Sequence, residues 1–212
     1  MKTIDLSHLI SSTMPVYPGS EPPVMLPTST LEMDSFVERK ITFYSHVGTH
    51  VDVPAHILAE GKTIDEVHVD CFFGRAMVLD VSHLVKVIEA EDIAPYSTLF
   101  KQVDFLLFHT GWSQHWGADS YYSHFPVLSL QAAALLASYP LKGIGVDTIS
   151  VDEVVSAQFP NHKLLLQKNI IIVENLTNLH TLIEKEFIFA CFPLKLQAGD
   201  GSPVRAVAIL LE

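Results

Sequence analysis

Cysteine is scarce in this sequence, two residues among 212, and the pair stands far apart at Cys71 and Cys191. Both sit beside phenylalanine, so they read as buried thiols in a reducing compartment, not as a disulfide or a nucleophile. Basic residues are scarce too: 13 Lys and Arg against 24 Asp and Glu leave a net charge of −11. A nucleic-acid backbone or an anionic membrane surface needs a basic footprint, so neither is an expected partner. Long apolar runs are missing. Ile170 to Val173 and Ala206 to Leu211 fall far short of the roughly 20 residues a spanning helix needs. The opening Met1-Lys2-Thr3-Ile4-Asp5 has an acidic residue where an export signal would carry its apolar core, which points to a cytoplasmic location. There is no internal repeat, low-complexity tract or linker, and the length suits one core, so a single domain over residues 1–212 is expected.

What is present is a well-buried composition, 49% hydrophobic and only 17% charged, and one chemically dense stretch. Residues 45–56 read Ser-His-Val-Gly-Thr-His-Val-Asp-Val-Pro-Ala-His, three imidazoles and a carboxylate in twelve positions. The spacings among His46, His50, Asp52 and His56 are all even, so an extended strand would turn them to one face. Its ends would lie roughly 33 Å apart at about 3.3 Å per residue, too far to share a cation at about 2.0–2.2 Å from each donor. The chain must therefore bend, and Gly48 and Pro54 are suited to bend it. A helix is disfavoured by Gly48, Thr49, Val51, Val53 and Pro54. A strand running into a tight loop, with His46, His50 and Asp52 converging, is the expectation. Lone histidines would read as solvated or core residues; several packed together demand a cation or hydrogen bonds in compensation.

Around this stretch the patterning predicts strands over Ile4 to Leu9, Phe36 to Tyr44, Gly74 to Val81, Asp104 to His109, Gly143 to Asp147, Ile170 to Val173, Phe187 to Pro193 and Val204 to Leu211. Short helices are expected over Glu89 to Ala94, stopped at Pro95, from the cap Ser129 through Ser138, and from the cap Asn161 through Lys168. Thr63 and Glu66 form a capping box. The aromatic passage from Trp112 to Phe125 reads as a loop that roofs a pocket, meets another subunit or forms a satellite cluster. Irregular alternation of strands and helices indicates an α/β domain on a mixed central sheet.

The run Ser-x-His-x-Gly-Thr-His-x-Asp-x-Pro-x-His closely resembles the signature of the metal-dependent cyclase/hydrolase family, which includes bacterial kynurenine formamidases (arylformamidases) and isatin hydrolases. That resemblance implies a swivelling β/β/α architecture and a homodimer or larger assembly. It implies two divalent metal ions per subunit, zinc first and manganese second. His46, His50 and Asp52 would hold one ion, and Asp52, His162 and Glu174 the other, with Asp52 as the bridge. His162 and Glu174 match the family's downstream His and Glu within Glu-Asn-Leu. His56 remains as the acid/base. Tyr17, before Pro18-Gly19, stands where the resemblance places a substrate-contacting aromatic, a tryptophan in formamidases. The activity implied is hydrolysis of a small amide by metal-activated water, with an aryl formamide such as N-formylkynurenine as substrate, which would place the chain in tryptophan catabolism. The run Gly199-Asp200-Gly201-Ser202-Pro203-Val204-Arg205-Ala206 also looks formamidase-like. An isatin-type cyclic amide, another cyclase-family reaction, or an inert structural zinc held by three histidines and Asp52 are the alternatives.

Overall fold

In the computed structural model, which describes residues 1–210, the sequence forms an α/β fold around a mixed sheet. Leu211, expected at the end of the last strand, lies outside the described residues. The strands are β1 (Lys2–Asp5), β2 (Val24–Ser29), β3 (Glu38–Thr42), β4 (His50–Asp52), β5 (Phe73–Asp80), β6 (Val87–Ile88), β7 (Phe105–His109), β8 (Val127–Leu128), β9 (Gly143–Val146), β10 (Ile171–Glu174), β11 (Phe187–Ala190), β12 (Gly201–Pro203) and β13 (Val207–Leu210). The α-helices are α1 (Leu31–Asp34), α2 (Ala90–Ile93), α3 (Leu130–Leu136) and α4 (Pro160–Gln167). Among the described residues no helix is long and apolar enough to cross a membrane.

Nine of the described strands make the main sheet, in the order β1-β13-β11-β5-β7-β9-β10-β4-β12. The middle four, β5, β7, β9 and β10, run parallel, and every pairing outside them is antiparallel. Side-chain alternation explains why the central strands are apolar throughout. In β7, Phe105 and Leu107 enter the core on one face while Leu106 and Phe108 enter the core on the other, as expected when both faces of a parallel sheet are covered. β10 divides the same way, Ile171 and Val173 against Ile172. The second face is covered by α3 and α4 through Ala132, Ala133, Leu136, Leu165 and Leu166. Each fully buried phenylalanine on these strands contributes about 1.5–3 kcal/mol relative to exposure.

Several boundaries differ from the sequence reading for identifiable reasons. The first strand ends at Asp5 because Ser7 substitutes its hydroxyl for the ladder, accepting from the Ala206 amide at 2.7 Å. β3 does not belong to the main sheet; it pairs with β2 in a separate two-stranded hairpin whose β3 residues are all exposed, and the chain bends after it before reaching His46. The helix around Pro95 continues as a 3-10 turn over Ala94–Tyr96, since proline is tolerated in a first turn. Asn161 is not the cap of α4. Phe159 holds that position at φ 47° with Pro160 following it, and the Asn161 amide group donates inward to the carbonyls of Leu128 and Val151. The Gly199 to Ser202 turn is shorter than expected because Gly201–Pro203 forms β12 along β4. Cys191 is buried, but Cys71 is only partly so.

Candidate active site

The edge of the sheet at β10, β4 and β12 builds the site. Register sets His50 opposite Glu174 and Asp52 opposite Gly201. Before β4 the chain turns through Gly48 at φ 62°, a left-handed conformation that favours glycine. This turn returns His46 toward Asp52, with its Nδ1 2.7 Å from Asp52 Oδ1. After β4, Pro54 opens a 3-10 turn ending at His56, whose ring lies 3.9 Å from that of His46 between centroids. His50 Nδ1 donates to the Gly48 carbonyl at 2.8 Å, which directs Nε2 to Asp52 Oδ1 at 3.3 Å and Glu174 Oε2 at 3.5 Å. From the other side, His162 in the first turn of α4 places Nε2 3.5 Å from Asp52 Oδ2 and 3.3 Å from Glu174 Oε1.

All five proposed metal donors and His56 therefore meet in one place. Ligand atoms of His46, Asp52 and His56 lie within 4.8 Å of one another, and so do those of His50, Asp52 and Glu174. This grouping sets His56 beside His46 and Glu174 beside His50, whereas the resemblance joins His46 with His50 and His162 with Glu174. Asp52 belongs to both groups. Its Oδ2 is buried with no hydrogen-bond partner, the 3.5 Å approach of His162 being long for a hydrogen bond. A buried carboxylate oxygen left unpartnered is costly, and a divalent cation would satisfy it. Imidazole and carboxylate donors suit zinc or manganese, so the residues present fit the group.

Comparisons with known proteins supply the family. Residues 4–153 match the sequence model of the family described as "Putative cyclase". The chain belongs to the cyclase family. A kynurenine formamidase of Bacillus cereus is 32% identical over 211 residues, covering 98% of each chain. An isatin hydrolase A from Labrenzia aggregata, solved bound to benzyl benzoate, superposes with TM-score 0.90 at 26% identity over 100% of this chain and 94% of its own. A protein described as a potential metal-dependent hydrolase with cyclase activity gives TM-score 0.84 at 28% identity over 100% and 98%. Together they support a metal-dependent hydrolase of the cyclase family.

In this cyclase-family chain the donors are strongly polarised. Burial is the largest influence on His50 and opposes its protonation, yet Asp52 and Glu174 overcome it and push the group up to about 10. His162 is likewise held well above its ordinary value, against burial, by Asp152, Asp52 and Glu174. Asp52 is held well below its own, against burial, by His50 and His46. The buried carboxylates thus demand positive charge, and cation binding would displace these protons. His56 differs: burial lowers it, with Asp52 opposing only in part, so it stays neutral near pH 7.

A cavity of about 310 Å³ opens over these groups, walled by Tyr17, Tyr44, Ile149 and Phe159. Tyr17 donates its hydroxyl to the Val154 carbonyl at 3.3 Å and packs against the Trp112 to Phe125 aromatics. Those aromatics form a satellite cluster around Tyr121, Phe125, Val127 and Ile149 and do not themselves line the cavity.

Three residues outside the motif complete the arrangement. Asp200 contacts His46 Nε2 at 2.8 Å and approaches His56 Nδ1 at 3.8 Å. Asn175 donates to the Gly48 carbonyl at 2.9 Å and accepts from the Tyr121 hydroxyl at 2.6 Å, bracing the turn that carries His50. Asp152 lies 2.7 Å from His162 Nδ1. The Gly-Asp-Gly run could have flagged Asp200; nothing in sequence flags Asp152, whose partner is ten residues away.

Proposed function

We propose that this chain hydrolyses a small amide, most directly an aryl formamide such as N-formylkynurenine, with His46, His50, Asp52, His162 and Glu174 holding two divalent cations, zinc before manganese. The observation that carries the reading is the convergence of these donors on Asp52, whose Oδ2 is buried and unpartnered. Bound divalent cations supply Lewis acidity and lower the pKa of water to about 7. Asp52 reaches both halves of the site through its two carboxylate oxygens. His56, neutral and 28% exposed on its side chain, faces the cavity, takes the proton released by the attacking water as general base and passes it to the departing nitrogen as general acid, since an amine leaves poorly without one. Asp200, bonded to His46 at 2.8 Å, places a carboxylate 3.8 Å from the His56 ring. The Tyr17 wall excludes water from an aromatic substrate's flank.

An isatin-type cyclic amide is the second reading, favoured by the close superposition on isatin hydrolase A. Both fit hydrolysis of C–N bonds other than peptide bonds. A panel of N-formylkynurenine, formanilide and isatin with metal-loaded protein separates them: turnover of the formamides first supports the main reading, isatin first the second, and none of the three overturns both.

The reading includes a homodimer in the reducing cytoplasm, where two free thiols are stable. The β2–β3 hairpin exposes Leu26, Phe36, Val37 and Ile41, each above 50%, and an isolated hairpin is marginal in water unless something packs on it. Sedimentation at micromolar concentration should give a dimer that Ile41→Asp weakens; a monomeric parent chain would contradict this.

A further inference from the structure

We propose that Asp152 is the positioning residue for His162, a single carboxylate that caps α4 and aims the imidazole into the site; the inference rests on the function proposed above. Asp152 is buried. Its Oδ2 contacts His162 Nδ1 at 2.7 Å and accepts the His162 backbone N–H at 3.1 Å, while Oδ1 accepts the Asn161 N–H at 3.1 Å. The helix needs this outside acceptor. Its cap residue is Phe159, which makes no side-chain cap bond, and Pro160 has no N–H, so the first amides lack a local partner.

The same contact fixes the ring. With Nδ1 turned to Asp152, Nε2 is left facing Asp52 Oδ2 and Glu174 Oε1 at 3.5 and 3.3 Å. The neighbouring backbone performs a parallel task, because the Val151 N–H donates to Glu174 Oε1 at 3.1 Å. Asp152 is itself steadied, its N–H donating to Ser150 Oγ at 3.2 Å. Residues 150–152 thus hold His162 by a side chain and Glu174 by the main chain. A helix start and one half of the site are tied to the same three residues.

The test is Co²⁺ titration of the metal-free full chain against a competing chelator, for the parent and for Asp152→Asn, with thermal unfolding followed separately. Asparagine keeps one side-chain oxygen for the Asn161 N–H but replaces the oxygen that faces the His162 ring and N–H with an NH2 group. The expected result is a Co²⁺ equivalent weakened by about 10–100-fold, the usual loss when a carboxylate orienting a ligand histidine is removed, in a protein that still folds, with a modestly lower Tm because the His162 N–H loses its acceptor. Asp152→Glu should recover part of that affinity. Co²⁺ affinity unchanged in Asp152→Asn would overturn the proposal and leave Asp152 a helix cap. A parent chain that binds no Co²⁺ would overturn the proposed function as well, whereas two tight equivalents in both proteins would overturn this inference alone. Asp152→Ala is expected to lose both affinity and stability; should it fail to fold, Asp152→Asn decides.

Discussion

A methyl group added at Gly201 would stand 2.5 Å from Cε1 of His46, 2.8 Å from the Val51 carbonyl oxygen and 3.0 Å from His46 Nε2. Ordinary contacts between carbons lie at about 3.5–4.0 Å, so Gly201→Ala requires the ring or the strand to yield by about 1 Å. Neither yields easily. The imidazole is tied at both nitrogens, to Asp52 at 2.7 Å and to Asp200 at 2.8 Å, and β4 is buried and paired on both sides. Overpacking of this kind costs about 1–3 kcal/mol, which in a chain of this size lowers Tm by about 2–4 °C for each kcal/mol. A displacement of about 1 Å at a reacting centre costs on the order of 10²-fold in rate. The expected phenotype is a folded protein with a modestly lower Tm and about 10²-fold lower kcat/KM, read by steady-state kinetics beside a thermal melt. Unchanged kcat/KM and Tm would refute the placement of His46 against β12 and of Asp200 beside it.

Other perturbations follow from the same geometry. His56→Ala should keep its metal content, measured by elemental analysis, and lose about 10²–10⁴-fold in turnover; loss of metal would make His56 a ligand, as its proximity to His46 and Asp52 permits. Asp52→Asn should lose both metal equivalents and activity together, because Asp52 reaches both halves of the site; retention of either would refute the bridge. Burial lowers His8, stacked on Trp116 at 3.9 Å, to about 4. The unfolded chain therefore takes up a proton below about 6.5 that the folded chain refuses until about 4, so stability from this group is lost as pH falls through that window. His8→Phe should keep the stack and remove the titration, so the parent-minus-variant difference in chemical-denaturation stability should fall as pH is lowered from 6.5 to 4; a difference that stays constant across that window would show that His8 does not contribute.

How much of this was legible in the sequence depends on the range of the interaction. The twelve-residue motif was legible because its donors are near in sequence, and the need for a bend follows from strand geometry, with Gly48 and Pro54 suited to make it. Apolar strands such as β7 and β10 were legible because burial on both faces leaves continuous runs. The β3 strand misled: its alternation of Val37 and Ile41 with Glu38, Arg39 and Lys40 looks half-buried, yet the hairpin stands off the sheet with all of β3 exposed. Short-range pattern does not say which sheet a strand joins. Asp152 and Asp200 escaped because their roles arise from tertiary contact across 10 and 154 residues. Asparagine is a common cap residue, so Asn161 reads as one in the sequence, whereas the capping acceptors come from a remote carboxylate.

The donors gathered on Asp52 should make amide hydrolysis metal-dependent. The most direct test is to strip the chain with a chelator, add back Zn²⁺ in measured equivalents, and follow formate release from N-formylkynurenine at each step. The stripped protein should show no turnover, with a rise that saturates at two equivalents per chain. Turnover that survives complete metal removal, or its absence with the site fully loaded, would contradict metal-dependent amide hydrolysis.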